Sequence, residues 1–195
     1  SQGPVAHLVI DATGLKVYGE GEWKIRKHGK EKRRVWRKLH LAVDATTHAV
    51  IAAEVSLETV ADNEVLPTLL NPLRRKIKQV SADGAYDTKA CHALLKKKGA
   101  KATIPPRKNA APWEEGHPRN EAVAAPKVGG LKQRKKDSGY HQRSIAETAM
   151  YRFKQLIGPT LSLRNYNAQV GEILAGVKVM NKLIGLGMPV RQPVN

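Results

Sequence analysis

Three carboxylates stand out by the residues around them. Asp11 ends the β-branched run His7–Asp11 (HLVID), and Asp83 follows Ile77–Ala82 (IKQVSA) and opens Asp83-Gly84-Ala85-Tyr86-Asp87. Glu147 lies between Arg143 and Lys154, downstream of Tyr140. Carboxylate oxygens are hard ligands of the kind Mg²⁺ prefers, while Arg and Lys hold phosphate oxygens, so a Glu flanked by cations suits metal-assisted phosphate chemistry. At about 100° per helical residue, Arg143, Glu147 and Lys154 fall within about 40° of one direction. A solvated helix face with an ordinary i,i+4 ion pair, worth only about 0.3 kcal/mol, explains that spacing equally well. Spacing alone leaves both readings open. Softer ligands offer no competing site: the seven His are scattered without H-E-x-x-H or zinc-finger spacing. The single cysteine, Cys91, excludes a multi-cysteine zinc centre and an intramolecular disulfide, as in a reducing cytosol.

Strands must present the first two acids and a helix the third. His7–Asp11 reads as strand one, followed by the turn-like Ala12-Thr13-Gly14. Trp36–Val43 alternates Leu39, Leu41 and Val43 with polar or small neighbours and makes strand two. The turn Asp44–His48 leads into strand three, Ala49–Val55, so strands two and three form a hairpin. Val60–Leu73 carries Val65, Leu66, Leu69 and Leu70 at helical spacing, with Asp62 as its N-cap candidate. Strand four is Ile77–Ala82, a helix spans Thr88–Lys98 and stops at Gly99, and Ala102–Ile104 is a brief fifth strand before Pro105-Pro106. Residues 107–140 shift toward Pro, Gly, Lys and Arg without periodicity and read as a long loop or small insertion. Helices follow at Ser144–Ile157 and Ala168–Leu186.

This order predicts an α/β fold: a mixed five-stranded sheet, three strands antiparallel and the rest reached by right-handed parallel crossovers. Ribonuclease-H-like is the architecture that satisfies it. Chemistry in such open sheets gathers at the carboxyl ends of parallel strands, and the topology brings Asp11 and Asp83 together there. Asp44 echoes Asp11 in local sequence, but strand two runs antiparallel, so Asp44 falls at the opposite edge as a turn residue. Asp87 is read as a cap for the helix after it, and Glu54 as a strand side chain.

The 195 residues suit one domain, 1–195, with 107–140 as its insertion. Lys and Arg number 34 against 17 Asp and Glu, a formal charge of +17 and a pI near 10.1 that point to a polyanion, first of all nucleic acid. Hydrophobic residues at 41% exclude a disordered basic tail. No apolar run reaches the roughly 18 residues of a membrane helix and no signal-peptide layout opens the chain, so the expectation is a soluble cytoplasmic protein. Ser1-Gln2-Gly3-Pro4 has no initiator Met and reads as a fragment's start. The basic stretch Trp23–Lys38, including Arg33 and Arg34, leaves from the sheet end that holds Asp11 and is expected to bind the DNA backbone. Lys132–Lys136 is read as either DNA-facing or solvated, Lys96–Lys98 as a helix-end complement, and Trp23 and Trp36 as packing residues.

Taken together, Asp11 after its strand, Ser81-Ala82-Asp83-Gly84-Ala85-Tyr86-Asp87, and Tyr140-x2-Arg143-x3-Glu147-x6-Lys154 resemble the DDE catalytic domain of bacterial insertion-sequence transposases with the Tyr-Arg-Glu-Lys signature. The resemblance runs from about His7 to Gly187 and includes GLKVYGEGEW, WRKLHLAVD and IPPRK. It implies that Asp11, Asp83 and Glu147 hold two divalent ions, Mg²⁺ with Mn²⁺ as a substitute, while Tyr140, Arg143 and Lys154 contact DNA. It implies cleavage at transposon ends, transfer of the 3′-hydroxyl ends into target DNA, and a homodimer on DNA. The N-terminal DNA-binding region such transposases carry has no counterpart expected among residues 1–195, in line with the reading of a fragment. In related transposases the insertion contacts flipped or distorted DNA, which makes Trp113 a candidate stacking platform, the alternative being an anchor of the loop on the core. A nuclease of the same fold, such as a junction resolvase, and a catalytically silent DNA-binding or transposition-inhibiting fragment are the rival readings.

Overall fold

A computed structural model describes residues 3–17, 35–107, 109–124 and 138–187. Trp23, Arg33, Arg34 and Lys132–Lys136 lie outside the described residues. The spine of the molecule is β1 (Val5–Val17), 13 residues long, which has neighbours of both directions. β2 (Trp36–Asp44) runs antiparallel to it and β3 (Val50–Leu57) antiparallel to β2, forming the expected hairpin. On the other side β4 (Ile77–Ser81) runs parallel to β1, and β5 (Lys101–Thr103) parallel to β4. The sheet order is therefore β3-β2-β1-β4-β5, the mixed α/β arrangement expected from the element order. A sixth strand, β6 (Thr160–Leu161), pairs with Lys16 and Val17 at the far end of β1. Two residues are too few to leave a periodic signal, so only five strands were legible.

One boundary differs in a way that matters for the site. Ala12-Thr13-Gly14, expected as a turn, continues β1, with Ala12 opposite His40 and Lys16 opposite Trp36. Pairing with β2 overrides local turn preference, as tertiary context commonly does in strands. Trp36 packs over Gly14, where a Cβ would meet the indole at 3.3 Å, in keeping with its reading as a packing residue.

Helices cover both faces of the sheet. On one face Leu8, Ile10, Ala42 and Val80 meet Leu66, Leu69 and Leu70 of α1 (Asp62–Leu70) and Cys91 and Leu95 of α2 (Lys89–Lys97). On the other, Val9, Leu15, Leu39, Leu41 and Val43 meet Ala146, Ala149, Met150 and Phe153 of α4 (Ser144–Leu156) and Ile173, Val177 and Met180 of α5 (Tyr166–Gly185). Alternate strand residues thus feed two separate cores, the arrangement that period-2 side chains allow. The two long helices meet closely at Gly176, where a Cβ would stand 2.9 Å from Ile157 and 3.0 Å from Phe153.

Two expected caps are reassigned. Ala61 precedes α1 without a side-chain cap, and Asp62 instead pairs with Lys38 Nζ at 2.9 Å. Thr88, not Asp87, caps α2, its Oγ1 accepting from the Cys91 N–H at 3.2 Å, while Gly99 at φ +66° follows the helix as expected. The insertion contains a short helix of its own, α3 (Pro118–Ala124). No helix among the described residues is long and apolar enough to cross a membrane.

Candidate active site

The register of β1 and β4 places the first two acids side by side. Val9 pairs with Ser81, so Asp11 and Asp83 each lie two residues beyond that last parallel pair, Asp11 within β1 and Asp83 just past the end of β4. Neighbouring strands are about 4.8 Å apart. Asp11 is not at the end of its strand, since β1 continues; it stands where β4 ends, which opens the sheet beside it. Asp44 pairs with Leu8, three residues back along β1 from Asp11, and its Oδ1 accepts from the Thr46 N–H at 2.9 Å as a turn residue. Glu54 faces His40 across β2 and β3, a strand position as expected.

Each acid is oriented by the local backbone. Asp11 Oδ1 accepts from the Ala12 N–H at 2.9 Å, and Asp83 Oδ1 from the Ala85 N–H at 2.9 Å at the start of a 3₁₀ turn, Gly84–Tyr86. Glu147 arrives in the first turn of α4, with its side chain 54% exposed. Between Asp11 and Glu147 stands Arg143: Nη1 donates to Asp11 Oδ2 at 2.9 Å and Nη2 to Glu147 Oε1 at 2.5 Å. The i,i+4 pair is therefore present, but the same guanidinium also binds an acid 132 residues away, which an ordinary solvated helix face would not provide.

Burial pushes the Asp11 carboxyl above its ordinary value; the Ala12 N–H and Arg143 oppose this, and Asp83 and Glu147 add to it. Crowded carboxylates disfavour one another's ionisation, which a cation among them relieves. Tyr140 belongs to the same group. It opens a 3₁₀ turn, Tyr140–Arg143, and its ring centroid is 6.0 Å from the Arg143 guanidinium carbon. Burial raises its phenol, and Asp83, Asp11 and Glu147 raise it further against Arg143.

That turn is fixed to the sheet by residues the sequence did not single out. Gly139 adopts φ +71°, and a Cβ on it would approach the His7 ring at 3.6 Å. His7 Nδ1 bonds Gln142 Oε1, and its Nε2 meets Ser81 Oγ at 2.7 Å. Gln79 Nε2 donates to Ser138 O at 2.7 Å and Thr103 Oγ1 at 2.8 Å.

Lys154 lies two turns beyond Glu147 on α4, half-buried, and makes no ion pair among the described residues. Trp113 is elsewhere: its ring stands edge-on to His92 and His117, with Arg119 over its face at 4.0 Å. Arg33 and Arg34 lie outside the described residues. Among the described residues no three His, Cys, Asp or Glu side chains are gathered closely enough to hold a metal ion. The Arg143 guanidinium stands between Asp11 and Glu147, with one nitrogen on each. By donor type the set fits divalent ions well: three carboxylates, all hard oxygen ligands.

The chain has two likenesses among known proteins. The structure resembles the cryo-EM structure of a piggyBac transposase synaptic complex with hairpin DNA, with a TM-score of 0.57 at 15% identity over 97% of this chain and 50% of that one. This chain thus spans half the length of that transposase. The profile of the transposase DDE domain matches residues 4–181, nearly the whole described fold, so the chain belongs to the transposase DDE domain family.

Proposed function

We propose that this chain is the catalytic domain of a DNA transposase that cleaves phosphodiesters at transposon ends and joins the 3′ ends to target DNA. The observation that carries this reading is that Arg143 ties Asp11 to Glu147 beside Asp83, whose charge acts on Asp11, in a chain of the DDE family. The Tyr140, Arg143, Glu147, Lys154 spacing supports the insertion-sequence group with the Tyr-Arg-Glu-Lys signature and a bacterial origin. DNA is the partner that a charge of +17 fits, and a homodimer on DNA and a nucleoid-associated place in the cytoplasm follow from the same reading.

The family's chemistry uses divalent ions, and the proposed ion here is Mg²⁺, with Mn²⁺ as a substitute. Held by Asp11, Asp83 and Glu147, two such ions would stabilise charge on the entering and leaving oxygens of an in-line displacement. In the first step a water oxygen bonds to phosphorus and the P–O3′ bond breaks, leaving a 3′-hydroxyl. In the second, that hydroxyl oxygen bonds to a target phosphorus and displaces the target's own 3′ oxygen. Asp83 and Asp11 are each oriented toward that role by one backbone N–H on Oδ1, and Asp11 Oδ2 would be freed for it by release of Arg143. Tyr140, Arg143 and Lys154 hold phosphate oxygens, and Arg33 and Arg34 bind the DNA backbone. Trp113 is the proposed base-stacking residue of the insertion.

The reading is tested with a labelled transposon-end duplex in Mg²⁺. Asp11→Ala, Asp83→Ala and Glu147→Ala are each expected to lose at least about 10³-fold in cleavage with DNA affinity nearly unchanged, while Asp44→Ala keeps activity. Full activity in any of the three removes that residue from the site, and cleavage without strand joining by the wild type would favour the nuclease.

A further inference from the structure

Asp87 belongs to the same turn as Asp83 but cannot share its role, because its side chain is fully shielded and both oxygens are taken. Arg119 donates through Nε to Oδ1 at 2.5 Å and through Nη2 to Oδ2 at 2.6 Å. The Arg107 N–H donates to Oδ2 at 3.2 Å, and His92 Nε2 lies 3.3 Å from Oδ1. Arg119 comes from α3 of the insertion, and its side chain is only 4% exposed. Its Nη1 donates to Ala111 O at 2.9 Å, and its guanidinium covers Trp113. Within the described part of the insertion, Arg119 therefore ties Ala111 and Trp113 to Asp87.

The other end of the connection is Asp83. Its carboxylate caps the turn through the Ala85 N–H, its carbonyl accepts from the Tyr86 N–H at 3.2 Å, and the Asp87 N–H returns to Gly84 O at 3.2 Å. Arg107 donates from its guanidinium to Gly84 O at 3.1 Å and Ala85 O at 2.9 Å. Asp83 thus sits at one end of a single 3₁₀ turn whose other end is clamped by a two-point guanidinium fork. A buried ion pair is no more stabilising than well-packed apolar side chains, whereas a two-point fork fixes direction.

We propose that Asp87 and Arg119 are positioning residues for Asp83, so that the folded insertion sets the carboxylate geometry of the active site. This rests on the reading of Asp83 as a metal ligand. Coupling between insertion and site is reciprocal, so an ion held by Asp83 must also stabilise the insertion.

The probe is Mn²⁺ without DNA, followed by electron paramagnetic resonance titration of the full chain and by thermal melting. Arg119→Lys keeps the charge but loses the fork and is expected to weaken Mn²⁺ binding at least tenfold at a temperature where it remains folded. The double variant Asp87→Asn with Arg119→Met leaves no unpaired buried charge and is expected to recover melting temperature without recovering affinity. Wild-type affinity in either folded variant overturns the proposal. A measurement on the unaltered chain needs no variant to fold: saturating Mn²⁺ should slow amide exchange at Trp113 and Arg119, and unchanged exchange there also overturns it. If the wild type binds no Mn²⁺, or Asp83→Ala binds it as the wild type does, the metal reading itself falls, which is a separate and recognisable outcome.

Discussion

Arg143 occupies, between Asp11 and Glu147, the place where positive charge is most needed. Its two nitrogens satisfy one oxygen of each acid, and the burial that raises Asp11 would otherwise favour a protonated, non-ligating carboxyl. While that fork is closed, those two oxygens and the N–H groups that bind them are engaged with each other. If Asp11 and Glu147 are the metal ligands proposed, ion binding and release of Arg143 are one exchange, with the freed side chain one helical turn from Glu147 and able to take a phosphate oxygen. Arg143→Gln should accordingly tighten Mn²⁺ binding in the absence of DNA, by roughly tenfold or about 1.4 kcal/mol, yet slow cleavage of bound DNA. Titration calorimetry and single-turnover cleavage check the two signs. Weaker Mn²⁺ binding in the variant would show that the arginine supports the acids rather than standing in for an ion. Sequence spacing shows the Arg143 and Glu147 pair because helical geometry is local, but it holds no trace of the second bond to Asp11, which depends on how α4 docks on β1.

At the scale of elements, α4 is the part that would turn a carboxylate pair into the proposed site, since it carries both Glu147 and Lys154. Lys154 lies about 10 Å along the axis from Glu147, on the same side, with no carboxylate partner among the described residues. A cation placed this way can hold the scissile strand in register. Lys154→Ala should slow single-turnover cleavage about 10²-fold, because a displaced reacting phosphate is costly, while DNA affinity falls only about as much as one contact in many requires. Lys97→Ala is the surface control, and a wild-type cleavage rate in Lys154→Ala would return α4's basic side to the solvated-face reading. The elements themselves were largely legible: the hairpin, the crossovers, Gly99 after α2 and the adjacency of Asp11 with Asp83 all follow from period, turn chemistry and topology. What was not legible depended on distant partners. β1 runs on through Ala12-Thr13-Gly14 because β2 pairs with it, and β6 forms only because Lys16 and Val17 are there to receive it. Asp87 looks like a cap until Arg119, 32 residues on, reaches it.

Over the whole molecule, several histidines are buried as neutral bases, and together they should set its response to acid. His40 has no solvent exposure; Ser56 Oγ donates to Leu57 O at 3.1 Å, so His40 Nε2 donates to Ser56 Oγ at 2.8 Å and Nδ1 is left without a partner among the described residues. Burial lowers its pKa to about 4, with Asp62 opposing and Lys38 assisting. Burial also lowers His7, despite Gln142, and lowers His92, despite Asp87. A base with a lowered folded pKa takes up its proton in the unfolded chain first. Stability is therefore complete above about pH 6.5 and declines as pH falls toward the folded value, where the folded protein also protonates. For His40 alone the loss across that window is about 3 kcal/mol. Asp11, a carboxyl with a raised pKa, contributes in the opposite sense at the lower end of the range. Melting temperature should thus be flat from pH 8 to 7 and fall steadily from pH 6.5 to 4.5. His40→Leu fills the site without a titrating group and should remove a large share of that slope while leaving the plateau near its original height. A slope in His40→Leu parallel to the wild type would place the acid sensitivity with His7 and His92 instead, at the docking of the Tyr140–Arg143 turn and of the insertion.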